Sequence, residues 1–393
     1  MLKYVYLLLL VVIVYGNIEK LNADIAPIVM KSDSYIIVDT KSNVILQSKN
    51  PDKKIVPSSM SKLMTIYIIF DFIKNNKIKL SDKVNVSENA FKKGHYSTGG
   101  SSMFLNKTDN PTVEELIKGV IVASGNDASI AIAEYISGTE EDFVNLMNSY
   151  AEKIGMKNSH FNNTNGWPDK IHYSTVKDLT ILGKRLNEDF PEYYYFFKEK
   201  DMTFNKIKQT NRNRLLFDDK LNVDGLKTGH TVEGGYSVAF SSANENLRLI
   251  GVVSGLQKES QRIEESKKLI RWAYNNFTTK LLFKRGDVIK TIPVFNGNIN
   301  NLDIIAEEDI YIIFPSKSQI FDPKNINIKI KYLDSLNAPV SYNKVVATIV
   351  VENKNNPEYN QSFDFKAGIN IEEDNFFYST LKLPYQLIRK ITK

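Results

Sequence analysis

The chain has 393 residues, 42% of them hydrophobic and 24% charged, with a formal net charge of +6 and no cysteine. That supplies core for one large domain and a smaller companion, while the missing thiols exclude disulfides and thiolate metal sites. The four histidines, His95, His160, His172 and His230, have no ligand spacing, no basic block interleaves with aromatics and no glycine-rich loop follows a strand; no metal, cofactor or nucleic acid is expected.

Residues 1–23 carry a lone Lys3, the apolar run Tyr4 to Tyr15 and a polar stretch ending at Ala23. This is the layout of a secretory signal peptide, and the run falls short of the roughly 20 residues a membrane span requires. Leu21 stands where a small residue is usual before the cut. From Ser34 to Leu46, Tyr35-Ile36-Ile37-Val38-Asp39, a turn at Lys41-Ser42-Asn43 and Val44-Ile45-Leu46 predict a β-hairpin. Pro57 ends the extended segment. The helix that follows opens with Ser59 and Lys62 and is apolar on every side from Leu63 to Ile73, which predicts burial within a domain.

Residues 111–137 start with Thr112 and Glu115 at capping-box spacing and continue as helix, interrupted by Ser124-Gly125-Asn126. Further helices are predicted over 140–154 and 175–188. Val223 to Val253 reads as a meander with turns at Glu233-Gly234-Gly235 and 243–246, and Lys227-Thr228-Gly229 lies on its first strand. A charged amphipathic helix over 259–279, burying Ile263, Leu269, Ile270, Trp272 and Ala273, closes the domain. Short Ile/Val-rich strands beyond Lys284-Arg285-Gly286 predict an all-β domain. In the last residues Phe377, Leu381, Pro384, Ile388 and Ile391 recur at 4-3-4-3 spacing among Lys382, Arg389, Lys390 and Lys393, the pattern of an interfacial helix. Pro384 either kinks it or splits it.

The chemistry concentrates in the three polar clusters. Residues three apart share a helix face, so Lys62 faces Ser59. A buried amine loses hydration, its pKa falls, and near neutral pH it takes a proton from a hydroxyl one turn away. Singly these motifs are weak: Ser-x-x-Lys recurs at Ser174/Lys177 and Ser341/Lys344, and Ser-x-Asn at Ser48, Ser87, Ser242 and Ser335. Context separates them, because only Ser59/Lys62 opens a buried helix, only Ser124/Asn126 breaks two apolar helices, and Lys-Thr-Gly occurs once.

Ser-x-x-Lys, a Ser-x-Asn and Lys-Thr-Gly are the set shared by class A β-lactamases and penicillin-binding proteins. The chain resembles more closely the low-molecular-weight penicillin-binding proteins of the D-alanyl-D-alanine carboxypeptidase type. The resemblance is carried by Ser59-Met60-Ser61-Lys62-Leu63-Met64-Thr65, 100–104, Ala123-Ser124-Gly125-Asn126-Asp127-Ala128, Gln209-Thr210-Asn211-Arg212-Asn213 and 224–231. It continues through 336–340 and 345–349 to the tail.

It implies an α+β fold: a serine β-lactamase/transpeptidase-like domain, an antiparallel sheet flanked by helices, over 24–284, then an all-β domain over 285–375 and an amphipathic membrane-associating helix over 376–393. The implied substrate is a peptidoglycan stem peptide ending in D-Ala-D-Ala, with β-lactams as inhibitors and the enzyme exported to the outer face of the cytoplasmic membrane. In the implied mechanism Ser59 attacks the penultimate carbonyl, Lys62 is its base, and Ser124 with Lys62 or Lys227 protonates the leaving amine. Asn126 pairs with a substrate amide through donor and acceptor, and Lys227, Thr228 and Arg212 hold the terminal carboxylate. Gly229 completes the strand, and the backbone N–H groups of Ser59 and His230 form the oxyanion hole. Two features depart from the pattern: the tail carries a proline and lacks tryptophan, and 162–172 holds Trp167 and Pro168 in a turn beside the expected site. A β-lactamase is the nearest rival, but Glu141/Asn145 follows Asn126 too closely to supply its deacylating base. A D,D-endopeptidase would use the same residues, and a non-catalytic scaffold would not need them.

Overall fold

The computed structural model describes residues 25, 27–316, 326–332, 335–353 and 361–374. The expected signal segment and the tail over 376–393 lie outside them. The central sheet follows from period-two side chains. β1 (Ser34–Asp39) turns through Asn43, at φ +58°, into β2 (Val44–Lys49). Along β1, Ile36 and Val38 enter one apolar cluster, and Tyr35 and Ile37 enter another on the opposite face. Both faces of the sheet are therefore covered.

Helices supply one cover. α1 (Lys62–Lys74) is preceded by a single 3₁₀ turn over Ser58–Ser61. It is buried at every position from Lys62 to Phe70, as its unbroken apolar run predicts. α2 (Glu88–Gly94) follows, then α3 (Val113–Ile121), where Thr112 and Glu115 form the expected capping box. α4 (Asn126–Ser137) begins at the Ser-Gly-Asn break, and α5 (Glu140–Ile154) and α6 (Val176–Asp189) complete the layer. A hairpin unforeseen in the sequence, β3 (Asp201–Phe204) and β4 (Ile207–Thr210), carries the chain toward Arg212.

The predicted meander is β5 (Val223–Thr231), β6 (Gly235–Ala243) and β7 (Arg248–Leu256). The sheet order is β2-β1-β7-β6-β5, antiparallel throughout, with β5 at an end. α7 (Glu259–Asn276) covers the second face with Leu269, Ile270 and Ala273; Ile263 and Trp272 are only partly buried. It stops three residues before the predicted end, because Phe277, Thr278 and Thr279 pair instead with Pro315, Phe314 and Ile313 in a ladder. β-branched threonines favour that pleated pairing over a last helical turn.

The C-terminal part is all β: β8 (Phe277–Phe283) pairs β11 (Ile310–Pro315), β9 (Val288–Phe295) lies between β10 (Asn301–Ile305) and β13 (Leu336–Asn337), and β14 (Val345–Asn353) lies between β12 (Ile326–Tyr332) and β15 (Gln361–Lys366). Ile292, Ile304, Ile312, Leu336, Ile349 and Ile371 share its separate core. The α+β architecture is thus the expected one.

Phe70 anchors α1. It is fully buried among the rings of Tyr193, Phe190, Phe196 and Phe197, at centroid distances of 5.4, 5.9, 6.0 and 6.1 Å. Phe70→Ala is expected to cost about 3–5 kcal/mol through lost transfer energy and a residual cavity. A urea midpoint that stays close to wild type would show that α1 is held elsewhere.

Candidate active site

β5, the start of α1 and the α3–α4 connection meet around a cleft of about 730 Å³. Ser59, Ser124, Asn126, Arg212, Thr228, Gly229 and His230 line it. Lys62 and Lys227 lie buried beneath. Every residue singled out from the sequence for the site is therefore brought to one place. The alternative serine motif is not: Ser174 is buried and bonded to Ser159 Oγ at 2.8 Å, and Lys177 pairs at the surface with Asp52. Glu141 and Asn145 are exposed on α5.

Lys62 occupies the first position of α1, one turn after Ser59. Its Nζ lies 3.1 Å from Ser59 Oγ, 2.8 Å from Asn126 Oδ1 and 2.6 Å from the carbonyl of Asn165. Burial pushes its pKa well below the ordinary lysine value, and the charge of Lys227 pushes the same way while Asp127 opposes. Asn126 makes one further contact that the sequence does not indicate, accepting from Lys62. Its oxygen accepts from Lys62 with one lone pair, which leaves the second lone pair and the N–H₂ for a substrate amide.

Lys227, in mid-β5, donates to Ser124 Oγ at 2.9 Å. Its pKa is lowered to about 7, first by burial, then by Arg262 and Arg212. Ser124 thus pairs with Lys227; the hydrogen bonds of Lys62 among the described residues go to Ser59, Asn126 and Asn165. The guanidinium of Arg212 is exposed, 3.4 Å from Gln209 Oε1, and Gln209 in turn donates to the Ser102 carbonyl.

Local backbone explains the convergence. Ser124 adopts φ +59°, which turns the chain sharply between α3 and α4. Asp127 fixes that corner: its buried carboxylate accepts from Ser102 Oγ at 2.7 Å and from the N–H groups of Met103, Leu105 and Ala128 at 2.8, 3.0 and 2.9 Å. The Asn126 N–H meets the Ser101 carbonyl at 2.8 Å. Gly229 lets β5 approach the Ser58–Ser61 turn, since a Cβ there would lie 2.9 Å from the Pro57 carbonyl oxygen.

Four contributors escaped the sequence reading. Asn165 supplies a backbone carbonyl, for which no side-chain motif exists. Asp127 sat within a quoted motif without a role. Arg262 and Glu259 line the cleft from α7, joined at 2.7 Å, and Arg262 is buried over the ring of Tyr236. In the sequence they are indistinguishable from the surface charges of an amphipathic helix.

The buried Lys227 makes stability depend on pH. Its folded pKa lies below the unfolded value, so between about 7 and the ordinary lysine range the unfolded chain binds more protons and stability rises with pH. Below that window the folded protein carries a desolvated ammonium. Lys227→Met is therefore expected to gain thermal stability relative to wild type most strongly at pH 6, with the gap narrowing toward pH 10. A difference in melting temperature independent of pH would overturn the assignment.

Comparison with known proteins identifies the family. Residues 21–258 match the D-alanyl-D-alanine carboxypeptidase family and residues 277–372 match the penicillin-binding protein 5 C-terminal domain. D-alanyl-D-alanine carboxypeptidase DacC of Escherichia coli is 40% identical over 318 residues, 80% of this chain and 78% of the relative. DacA of Haemophilus influenzae is 38% identical over 336 residues, 85% of this chain and 84% of the relative. The crystal structure of penicillin binding protein 5 from Haemophilus influenzae superposes with a TM-score of 0.80 at 36% identity, covering 88% of this chain and 99% of that one. With the Ser-x-x-Lys, Ser-Gly-Asn and Lys-Thr-Gly clusters in one cleft and an all-β domain behind it, the chain belongs to the D-alanyl-D-alanine carboxypeptidase family of serine peptidases.

Proposed function

We propose that the D-Ala-D-Ala carboxypeptidase reaction runs on Ser59, with Lys62 as its base and Ser124 as the proton carrier to the leaving amine. The observation that carries this reading is the set of contacts around Lys62 Nζ. A neutral amine has two N–H bonds and one lone pair; the two shortest contacts, to Asn165 O and Asn126 Oδ1, take the N–H bonds. The lone pair is then left for the Ser59 hydroxyl at 3.1 Å. Ser59 Oγ attacks the penultimate D-Ala carbonyl as its proton passes to Lys62. The backbone N–H groups of Ser59 and His230 receive the oxyanion.

Collapse expels D-alanine, whose amine takes its proton from Ser124, replenished by Lys227 at 2.9 Å. Lys227, Thr228 and Arg212 receive the terminal carboxylate, which also sits within the field of Arg262. The Asn126 N–H₂ donates to the acyl portion. Water completes hydrolysis, releasing the shortened stem peptide. A β-lactamase is not favoured, since Glu141 and Asn145 face solvent away from the cleft, and the endopeptidase reading has no separate support. The test is mass spectrometry after incubation with penicillin, whose amide mimics the D-Ala-D-Ala bond. One adduct is expected, on the peptide containing Ser59, and none in Ser59→Ala; an adduct at Ser124 or Ser174 would overturn the assignment.

The proposed organisation is a signal peptide over 1–23, a catalytic domain over 24–284, the β domain over 285–375 and an anchoring helix over 376–393. The β8–β11 ladder crosses the second boundary and ties the two domains together. No helix among the described residues is long and apolar enough to cross a membrane. From the layout of residues 1–23 and the apolar and basic spacing of the tail, the reading is export followed by peripheral attachment to the outer face of the cytoplasmic membrane, with Phe377, Leu381, Ile388 and Ile391 in the acyl boundary. Truncation after Glu373 is expected to leave a signal-cleaved protein that no longer sediments with anionic vesicles and keeps its activity on small peptides. Undiminished sedimentation would place the anchor elsewhere.

A further inference from the structure

The segment before α6 wraps the nucleophile turn at several points. The Asn165 carbonyl meets Lys62, and the Thr164 carbonyl accepts from Thr65 Oγ1 at 2.7 Å. Gly166, at φ +82°, lies so close to the turn that a Cβ on it would fall 1.8 Å from the Ser58 carbonyl oxygen. His172 ends this segment, 3% exposed and edge-on to the Phe161 ring. Its Nε2 is 2.7 Å from the Ser61 hydroxyl, and its Nδ1 is 3.1 Å from the Asn162 backbone nitrogen.

The direction of these bonds follows from elementary donor rules. A backbone N–H only donates, so Nδ1 is an acceptor, and a neutral imidazole then carries its proton on Nε2. Nε2–H donates to Ser61 Oγ, and the Ser61 O–H is left to donate to the Ser58 carbonyl, 2.9 Å away. The ring stays neutral, because burial above all, with His160 and Lys62 adding and Asp169 opposing, lowers its pKa to about 4. Ser58 has φ +50° although it is not glycine. Such a conformation costs about 1–3 kcal/mol and persists only where its surroundings over-determine it. It immediately precedes Ser59.

We propose that His172 is a positioning residue for the reaction: through Nε2–H it aims the Ser61 hydroxyl at the Ser58 carbonyl, holds the turn in its left-handed conformation and so sets Ser59 at its distance from Lys62. The relay never touches substrate and acts only on the geometry of attack. It rests on the reading of Ser59 as nucleophile.

Two substitutions separate this role from packing. In His172→Asn the amide oxygen reaches the place of Nδ1 and nothing donates to Ser61. In His172→Gln the amide nitrogen reaches the place of Nε2 and the donor is kept. Penicillin acylation of the full chain is followed by stopped flow, which divides reversible binding from the covalent step, with melting temperature measured alongside. His172→Asn and Ser61→Ala are each expected to slow the covalent step by roughly 10²-fold, the scale of a small misplacement of reacting groups, with reversible binding unchanged. His172→Gln is expected to stay close to wild type, and the double variant His172→Asn/Ser61→Ala to fall no further than either single one. Wild-type rates in Ser61→Ala, a loss in His172→Gln equal to that in His172→Asn, or additive losses in the double variant would overturn the relay. A wild-type protein acylated at a residue other than Ser59 would instead remove the nucleophile assignment on which it rests.

Discussion

Two lysine amines enclosed in one protein core are the constraint around which the catalytic domain is arranged. Each loses its hydration, and the charge of Lys227 depresses Lys62 further. The charged forms are penalised, and the pKa of Lys227 falls to about 7. Such groups are tolerated because the structure around them is apolar and extensive: α1 is buried from its first residue to Phe70, and the sheet beside it is covered on both faces. The same burial that destabilises the ammonium favours the neutral amine that the base role proposed for Lys62 requires, a cost in stability set against reactivity.

Two of the polar groups that meet these amines, the hydroxyls of Ser124 and Ser59, lie on or directly after a residue of positive φ. Ser58 and Ser124 both adopt left-handed φ, one directly before Ser59 and one in the α3–α4 connection. Glycines permit the close contacts, Gly229 against Pro57 and Gly166 against Ser58. Asp127, with its ring of four donors, locks the corner on which Ser124 and Asn126 sit. Strain concentrated beside the chemistry and over-determined by surrounding hydrogen bonds is what a preorganised acyl-transfer site requires.

The β domain attaches at the far end of the central sheet. Asp39, Leu249 and Ser242 are register partners at one end, whereas His230 pairs Tyr236 and Tyr236 pairs Leu256 at the other. Gln361, buried, accepts from the Ile313 N–H at 2.9 Å and donates to the Ser42 carbonyl at 3.3 Å, while Lys41 lies over the Tyr311 ring. These contacts reach the β1–β2 turn, beside the first residues of β5 rather than its Lys-Thr-Gly. The β domain therefore makes these contacts away from the Lys-Thr-Gly end of the sheet.

The sequence by itself determined what local chemistry and period encode. The greasy run after Lys62, the Thr112/Glu115 capping pair, the alternating strands and the three polar clusters were legible because each depends on residues a few positions apart. The Ser59/Lys62 pair proposed as nucleophile and base, and the strand that carries Lys227, could be named from them. Tertiary structure alone decided the rest. The Asn165 carbonyl has no side-chain signature, Arg262 and Glu259 read as ordinary helix charges, and the pairing of Ser124 with Lys227 joins residues 103 positions apart. In the sequence His172 is one of four histidines without ligand spacing; the fold sets its two nitrogens between Asn162 and Ser61. Hydrogen bonds made across the core depend on where elements pack, and packing distances are not written in any short stretch of chain.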